Sequence, residues 1–185
     1  MYSRDPFDRE RFEQVQRVAA EILARSSAEP FDRALAILRA ETGYATPKVD
    51  VRAAVFREDR VLLVREVSDG RWSLPGGWAD VGESASAVAT REVREESGYE
   101  VRARKVLAVL DKARHEHPAS FWYTYKLVFG CELVGGAPRT SHETTGVDWF
   151  ARDSLPPLSL ERVTRAQIAR LFEHHDDDTL PTDFD

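Results

Sequence analysis

The sequence has almost no cysteine, no long apolar run and no excess of positive charge. Each of these absences excludes or disfavours a structural feature or a class of partner. Cys131 is the only cysteine among 185 residues, so an intrachain disulfide is impossible and a reducing compartment is expected. No apolar run approaches the ~20 residues that span a bilayer. The net charge of −6 disfavours nonspecific binding to nucleic acid or to an anionic membrane, since both need a basic face.

The first ten residues, MYSRDPFDRE, also lack the apolar stretch of a signal peptide. We therefore expect a cytoplasmic protein with no membrane partner. Hydrophobic residues make up 42% of the chain and charged residues 31%, a balance that allows a packed core. The length fits one medium domain with an appendage, or two small domains.

The pattern of apolar residues changes from helical spacing to strand-like runs near Pro47. This change separates a predicted N-terminal helical region, residues 1–46, from a main domain, residues 47–185. Asp5-Pro6 is a good helix start, and an apolar stripe with helical spacing follows: Phe12, Val15, Val18, Ala19, Ile22 and Leu23. A second helix is predicted from Phe31 to Thr42, with Gly43 placed to end it. Two short amphipathic helices cannot bury their stripes on each other alone, so they must pack on the main domain or on a second subunit.

Beyond Pro47, β-branched and aromatic residues predict strands over Val49–Phe56, Arg60–Val67, Val101–Leu110, Phe121–Val134 and Val147–Phe150. Glu58-Asp59 and Gly135-Gly136 are predicted turns. Apolar residues between Leu160 and Phe172 predict a C-terminal helix, and the acidic tail from about 176 to 185 is predicted to be mobile. Strands on both sides of one helix indicate an α/β fold, a sandwich in which helices cover a mixed β-sheet.

That one helix lies in the most informative segment, GGWADVGESASAVATREVREESGY, residues 76–99. Gly76-Gly77 predicts a tight loop. The helix should begin near Ser84 or Ser86, either of which can cap it, and should end at Gly98. Its buried stripe consists of Ala85, Val88, Ala89 and Val93.

Three carboxylates, Glu92, Glu95 and Glu96, share one face of this helix because they stand at i, i+3 and i+4. Like charges at this spacing repel, and repel more when partly buried. A hard cation such as Mg²⁺ removes the repulsion by taking carboxylate oxygens while keeping several waters. The competing interpretation is a solvated acidic face, on which Arg91 pairs with Glu95 one turn on.

The spacing of the whole segment decides between these interpretations, because it resembles the signature of the Nudix hydrolases. That signature is Gly, five residues, Glu, seven residues, then Arg-Glu-apolar-any-Glu-Glu-any-Gly-apolar. The matching positions here are Gly77, Glu83, Arg91, Glu92, Val93, Glu95, Glu96, Gly98 and Tyr99. The one departure is Tyr99, where an aliphatic residue is usual. The resemblance implies a Nudix α/β/α sandwich over about Pro47 to Asp176.

It also implies roles for individual residues. Glu92 and Glu96 would bind the metal, Mg²⁺ or Mn²⁺, with Glu95 shared or nearby, and the Gly76 carbonyl would complete the site. Glu83 and Arg91 would orient the loop and the helix through an ion pair. Members of the family often place another glutamate six residues before a tryptophan. Glu143, which stands six residues before Trp149, would be an extra metal ligand or the general base. Its alternative is an exposed loop glutamate.

Two further sets of residues are candidates for contact with a substrate. Lys112, Arg114, His115 and His117 lie in a loop after a strand and could meet a phosphate or a leaving group. An ordinary solvated loop is an equally good interpretation. Trp78, just after the two glycines, is the best candidate for stacking on a base.

The segments WSLPGGWADVGES, KARHEHP and LPPLS, with a helical N-terminal extension, resemble one branch of the family. That branch includes CDP-choline and ADP-ribose pyrophosphatases, which cut nucleoside diphosphates linked to another moiety. We predict this activity, with CDP-choline first and ADP-ribose second, in a homodimer formed with the N-terminal helices. The alternatives are a hydrolase of nucleoside triphosphates, oxidised nucleotides or RNA ends, and a nucleotide sensor without catalysis.

Overall fold

The computed structural model describes residues 5–27, 29–41 and 44–185. The chain divides into two compact units. One contains the helices before Pro47 together with residues 119–123, and the other contains residues 48–118 and 124–185. None of the helices in the described ranges combines the length and the apolarity needed to cross a bilayer.

The smaller unit is a pair of helices, α1 (Pro6–Ser26) and α2 (Phe31–Ala40). The side chain of Asp5 caps α1 by accepting a hydrogen bond from the amide of Phe7. A small core forms where Ala20 meets Ala34 and Leu35. The predicted end of α2 at Gly43 lies outside the described residues, and the helix itself ends at Ala40.

Four of the six residues in the apolar stripe of α1 are exposed in the part of the chain that the structure describes. Phe12, Val15, Val18 and Ile22 are 55–65% exposed, and Ala20 is the buried residue of this helix. Such a contiguous row of exposed apolar side chains is typical of an interaction surface.

The larger unit contains eight strands and two α-helices, in chain order β1 (Lys48–Arg57), β2 (Arg60–Glu66), β3 (Trp72–Ser73), β4 (Gly76–Trp78), α3 (Ala85–Ser97), β5 (Tyr99–Asp111), β6 (Thr124–Gly136), β7 (Thr144–Ala151), α4 (Arg165–Asp176) and β8 (Asp183–Phe184). A short 3₁₀ helix, Lys112–Arg114, follows β5. The strands run β3-β2-β1-β6-β5-β8 across the sheet, while β4 pairs with β1 and β7 pairs with β2. The sheet is mixed, because the β1–β6 and β5–β8 pairs are parallel and the others are antiparallel.

Two apolar cores lie on the two faces of this sheet, and β1 shows how one strand supplies both. Val51, Ala53 and Val55 pack with Val88 and Val93 of α3. Ala54 and Phe56 contact the other core, which contains Ile168, Leu171 and Phe172 of α4. Period-two alternation explains the division. The predicted α/β/α sandwich with a mixed sheet is therefore confirmed.

Several predicted boundaries were wrong. Strand β6 begins at Thr124, not Phe121, and it includes Gly135-Gly136, which were predicted to form a turn. The C-terminal helix begins only at Arg165, where Thr164 and Gln167 form a capping box. The Glu58-Asp59 turn is present, with positive φ at both residues, as a two-residue hairpin between twisted strands requires.

The acidic tail was predicted to be mobile, and it is instead fastened to the sheet. Its strand β8 pairs with Ala108 and Val109 of β5. Asp183 accepts hydrogen bonds from Arg170 at 2.7 and 2.8 Å. Local composition misses these contacts because the partners lie on other elements.

We predict that Phe172→Ala destabilises the protein by about 3–5 kcal/mol, the usual cost of removing a buried aromatic ring. Phe172 is 1% exposed and packs edge-on against Phe56 at 5.0 Å between ring centroids. Urea unfolding measures the change. Phe184→Ala is the control, because that ring is 80% exposed and its loss should cost less than about 0.5 kcal/mol. Equal effects of the two substitutions would contradict this arrangement of the core.

Candidate active site

The acidic helix α3 is fixed at both ends by its own sequence. Ser84, one of the two predicted caps, accepts a hydrogen bond from the amide of Ala87 at 3.3 Å. Gly98 ends the helix in the left-handed conformation, with φ 75°. A Cβ at Gly98 would lie 2.5 Å from the carbonyl oxygen of Ala137, so glycine also allows the chain after β6 to approach.

Gly76 and Gly77 were predicted to form a loop, but they belong to the short strand β4, antiparallel to β1. A Cβ at Gly76 would lie 2.0 Å from the carbonyl oxygen of Val51. A Cβ at Gly77 would lie 2.9 Å from Oε1 of Glu92. Glycine is required at position 76, which lies against the backbone of β1, whereas a side chain at position 77 would displace the carboxylate of Glu92.

The three carboxylates of α3 have different environments. Glu96 is 4% exposed, and its Oε2 accepts a hydrogen bond from the amide of Gly76 at 2.9 Å. Glu92 is also buried, with Oε1 3.0 Å from a guanidinium nitrogen of Arg91. Glu95 is half exposed and contacts Arg91 at 3.0 Å. The helix thus turns two carboxylates inward and leaves the third at the rim.

Burial has a large electrostatic effect on the inner pair. Desolvation raises the pKa of Glu96 to about 8, although Arg52 and the Gly76 amide oppose the rise. Desolvation is also the main cause that raises the pKa of Glu92. A nearby divalent cation would stabilise both carboxylates in their charged form.

Arg91 connects this helix to the segment before it. Its Nε lies 3.1 Å from Oε2 of Glu83, and it also approaches Asp80 at 3.4 Å. The Glu83–Arg91 ion pair that the resemblance implied is therefore present in the geometry. Since Arg91 also contacts Glu92 and Glu95, it balances part of the negative charge of the site.

A second segment, between β6 and β7, is attached to the end of α3. The amide of Arg139 donates to the carbonyl of Ser97 at 2.9 Å. The hydroxyl of Thr144 donates to the carbonyl of Glu96 at 2.8 Å. The amide of Glu143 donates to Ser141 Oγ at 3.1 Å. These bonds hold Glu143 beside the helix that carries the other glutamates.

Residues of the 76–80 segment, of α3 and of the 139–143 segment line a cleft of about 510 Å³. Its lining includes eight residues named from the sequence: Gly76, Gly77, Trp78, Arg91, Glu92, Glu95, Glu96 and Glu143. Four others, Asp80, Arg139, Ser141 and His142, were missed. Proximity to Trp78 or Glu143 in sequence was the one signal that could have suggested them.

The other substrate candidates lie elsewhere. Among the described residues that line the cleft, none comes from the 112–117 loop. Lys112 is buried and pairs with Glu161 at 3.0 Å, which also corrects the view of a simple solvated loop. His117 contacts the carbonyl of Leu160, and His115 contacts Asp185. Arg114 lies 4.0 Å from Asp185. The geometry gives no support for substrate contact by these four residues.

The donors in the cleft suit a hard divalent cation. Within the described ranges, no three His, Cys, Asp or Glu side chains converge closely enough to hold a metal unaided. Magnesium does not require such a cage, because it keeps several waters and takes one or two carboxylates plus phosphate oxygens. The buried carboxylates of Glu92 and Glu96, with raised pKa values, fit that need.

The fold and the cleft together define a hydrolase of the Nudix class, and comparison with known proteins agrees. A family model described as "NUDIX domain" matches residues 46–172. A second, described as "UDP-X-like, N-terminal oligomerisation domain", matches residues 1–38. The chain therefore belongs to the Nudix hydrolase family.

Two similar proteins match nearly the whole chain, and a third matches about three quarters of it. This chain is 41% identical over 182 residues to a putative ADP-ribose pyrophosphatase of Bacillus subtilis, covering 97% of this chain and 88% of that protein. A crystal structure described as UDP-X diphosphatase is 34% identical with a TM-score of 0.70, covering 100% of this chain and 89% of that one. An ADP-ribose pyrophosphatase structure from Streptococcus suis is 43% identical with a TM-score of 0.70, covering 76% and 100%.

Glu96 should make the stability of the metal-free protein depend on pH. Its pKa is about 8 when folded against 4.5 ordinarily, so the folded state binds the proton more tightly. The stabilisation is full below about pH 4.5 and is lost as the pH rises through 8, with a slope of up to about 1.4 kcal/mol per pH unit. Urea unfolding in EDTA at pH 5, 6, 7 and 8 should show this fall for the native chain, and Glu96→Gln should show a smaller one, since the raised pKa of Glu92 remains. Parallel pH profiles for the two proteins would exclude Glu96 as the source.

Proposed function

We propose that this enzyme is a divalent-metal-dependent pyrophosphatase that hydrolyses the diphosphate linkage of a nucleoside diphosphate joined to a second moiety. The observation that carries the proposal is the cleft itself, in which the buried Glu92 and Glu96 lie beside Glu143, Arg91 and the Gly76–Trp78 strand. Support also comes from the relatives, whose names refer to ADP-ribose and UDP-X compounds.

Each residue has a distinct part in the proposed reaction. Glu92 and Glu96, with the Gly76 carbonyl, would hold Mg²⁺ or Mn²⁺, and Glu95 would complete the site at its rim. Such an ion, when bound, supplies stabilisation of charge on the nonbridging oxygens and a lower pKa for a coordinated water. Glu143 would serve as a further ligand or accept the proton of the attacking water. The ion pair between Arg91 and Glu83 would orient the helix relative to the segment that precedes it.

Trp78 is the proposed contact for the nucleoside part. Its side chain is 52% exposed, and it lines the cleft next to the glycines. An aromatic face that is open to a cleft can stack on a base of any identity. The relatives' names favour ADP-ribose or a UDP-linked compound over CDP-choline, which the sequence resemblance ranked first.

A substrate panel tests the activity. CDP-choline, ADP-ribose, a UDP-sugar, 8-oxo-dGTP and a 5′-triphosphate RNA would each be incubated with Mg²⁺ or Mn²⁺ in ¹⁸O-water. We expect the diphosphate-linked compounds to be cleaved, with the label showing which phosphorus is attacked. Preference for 8-oxo-dGTP or for RNA would replace the proposed substrate class. No turnover with any compound would favour a nucleotide sensor.

With the best substrate from the panel, Glu92→Gln and Glu96→Gln should each reduce kcat at least about a hundredfold while the protein stays folded, because the amide keeps the shape of the side chain and removes its charge. Circular dichroism checks folding. Glu132→Gln is the control, since Glu132 is exposed on β6 outside the described lining of the cleft. Near-normal rates for both helix variants at saturating Mg²⁺ would exclude α3 as the metal site.

We also propose a homodimer in which α1 forms part of the interface. The support is the exposed row of Phe12, Val15, Val18 and Ile22, together with the match of residues 1–38 to an oligomerisation domain. Burial of a Val- or Phe-sized side chain contributes roughly 1.5–3 kcal/mol, so the row can stabilise a subunit interface.

The double variant Val15→Asp/Ile22→Asp should be a monomer by light scattering at micromolar concentration, because it would bury charges in the apolar row. The native chain should have the mass of a dimer. Val134→Asp is the control, since this exposed valine lies on β6 and its replacement should leave the dimer intact. A monomeric native chain would exclude the dimer, and a dimeric double variant would move the interface elsewhere.

A further inference from the structure

A cluster of buried charges lies on β1, which pairs with the glycine strand β4, and on the neighbouring strand β6. Asp50 and Arg52 of β1 and Lys126 of β6 are 5%, 6% and 2% exposed. Asp50 lies between the two cations: its carboxylate is 2.9 Å from a guanidinium nitrogen of Arg52 and also accepts a hydrogen bond from Lys126. Burying three charges is costly, and an ion pair in the interior is weak evidence for added stability. A role other than stability is therefore worth seeking.

The contacts of Arg52 point to such a role. While Nε donates to Oδ1 of Asp50 at 3.0 Å, Nη1 donates to the carbonyl of Leu74 at 3.1 Å. Leu74 and Pro75 lead directly into Gly76. Arg52 thus holds the backbone just before the glycine strand, because its planar guanidinium group contacts both a carboxylate and a backbone oxygen.

The strand that Arg52 holds is the one that fixes Glu96. Gly76 stands opposite Arg52 in the β1–β4 register, and the Gly76 amide donates to Oε2 of Glu96 at 2.9 Å. The preceding residue, Pro75, accepts from the amide of Ala53 at 2.9 Å. A shift of the 74–76 backbone would therefore move both the Gly76 carbonyl and the carboxylate of Glu96.

We propose that Arg52, oriented by Asp50, is a positioning residue that sets the geometry of the metal site through the Leu74–Gly76 backbone. The proposal rests on the proposed function for its effect on turnover, but not for its effect on the strand. Lys126 provides the contrast. It is also buried and shares Asp50 with Arg52, and its ammonium group donates a hydrogen bond to the Asp50 carboxylate.

Arg52→Lys separates charge from geometry, because a lysine keeps the positive charge but cannot reach Asp50 and the Leu74 carbonyl with one planar fork. Hydrogen exchange measured by mass spectrometry on the full-length, metal-free protein should show faster exchange in peptides spanning residues 74–79. Turnover should fall about 10- to 100-fold, and the Mg²⁺ concentration for half-maximal activity should rise, as expected when a partner of a ligand is removed.

Lys126→Met is the matched control. It removes a buried cation of the same cluster while Asp50 keeps Arg52 as its partner, so it can lower the melting temperature. It should leave exchange at 74–79 and the Mg²⁺ requirement as in the native chain. Asp50→Asn should speed exchange at 74–79 and raise the Mg²⁺ requirement, as Arg52→Lys should. This second variant tests the proposal if Arg52→Lys does not fold.

Native exchange and native Mg²⁺ dependence in folded Arg52→Lys would overturn the proposal. The same changes in Lys126→Met would also overturn it, because they would show a general effect of losing a buried charge. If the native chain itself cleaves no diphosphate compound, the proposed function fails. The exchange comparison then still decides whether Arg52 holds the strand.

Discussion

The hydrogen bond from the Gly76 amide to the buried carboxylate of Glu96 joins the acidic helix to the sheet, and the site depends on this connection. It requires a helix whose last turn faces the sheet, a strand that carries no side chain where Gly76 pairs with β1, and a carboxylate that stays buried. Val88 and Val93 provide the first requirement by anchoring α3 on the sheet. Gly76 provides the second, since even one methyl group would clash with the backbone of β1.

The cost of this arrangement is electrostatic. Two carboxylates lie in a poorly solvated place, and both have raised pKa values as a result. Arg91 at the rim and Arg52 on β1 each offset part of this negative charge. A divalent cation near both carboxylates would lower the free-energy cost of ionising them.

Gly98 shows how one residue can serve both a local and a long-range need. Its positive φ ends the helix, and its lack of a side chain lets Ala137 and Arg139 approach. The segment so attached carries Glu143 into the cleft. The position of Gly98 just after the helical glutamates therefore meets two requirements. The end of the helix is local in sequence, and the approach of Ala137 and Arg139 is long-range.

Much could be predicted from the sequence wherever the cause is local. The caps and end of α3, its buried stripe and the shared face of Glu92, Glu95 and Glu96 follow from helical periodicity and capping chemistry. The layered sandwich with a mixed sheet and the family followed from element order and motif spacing. The 1–46 and 47–185 domain bounds and the individual roles of the site residues remain predictions.

Tertiary structure decided the rest. Three-residue β4 has no periodicity to reveal it and exists because β1 pairs with it. Phe121 was assigned to a strand by its aromatic neighbours, yet it packs with the helical unit. Lys112, predicted to contact a substrate or to lie in a solvated loop, is buried beside Glu161, which is 49 residues away in the sequence. The sequence by itself determined which residues form the acidic helix and its face, because those interactions span a few residues. Only the tertiary structure decided which distant backbone and charges meet that face, since these depend on strand register and close approach.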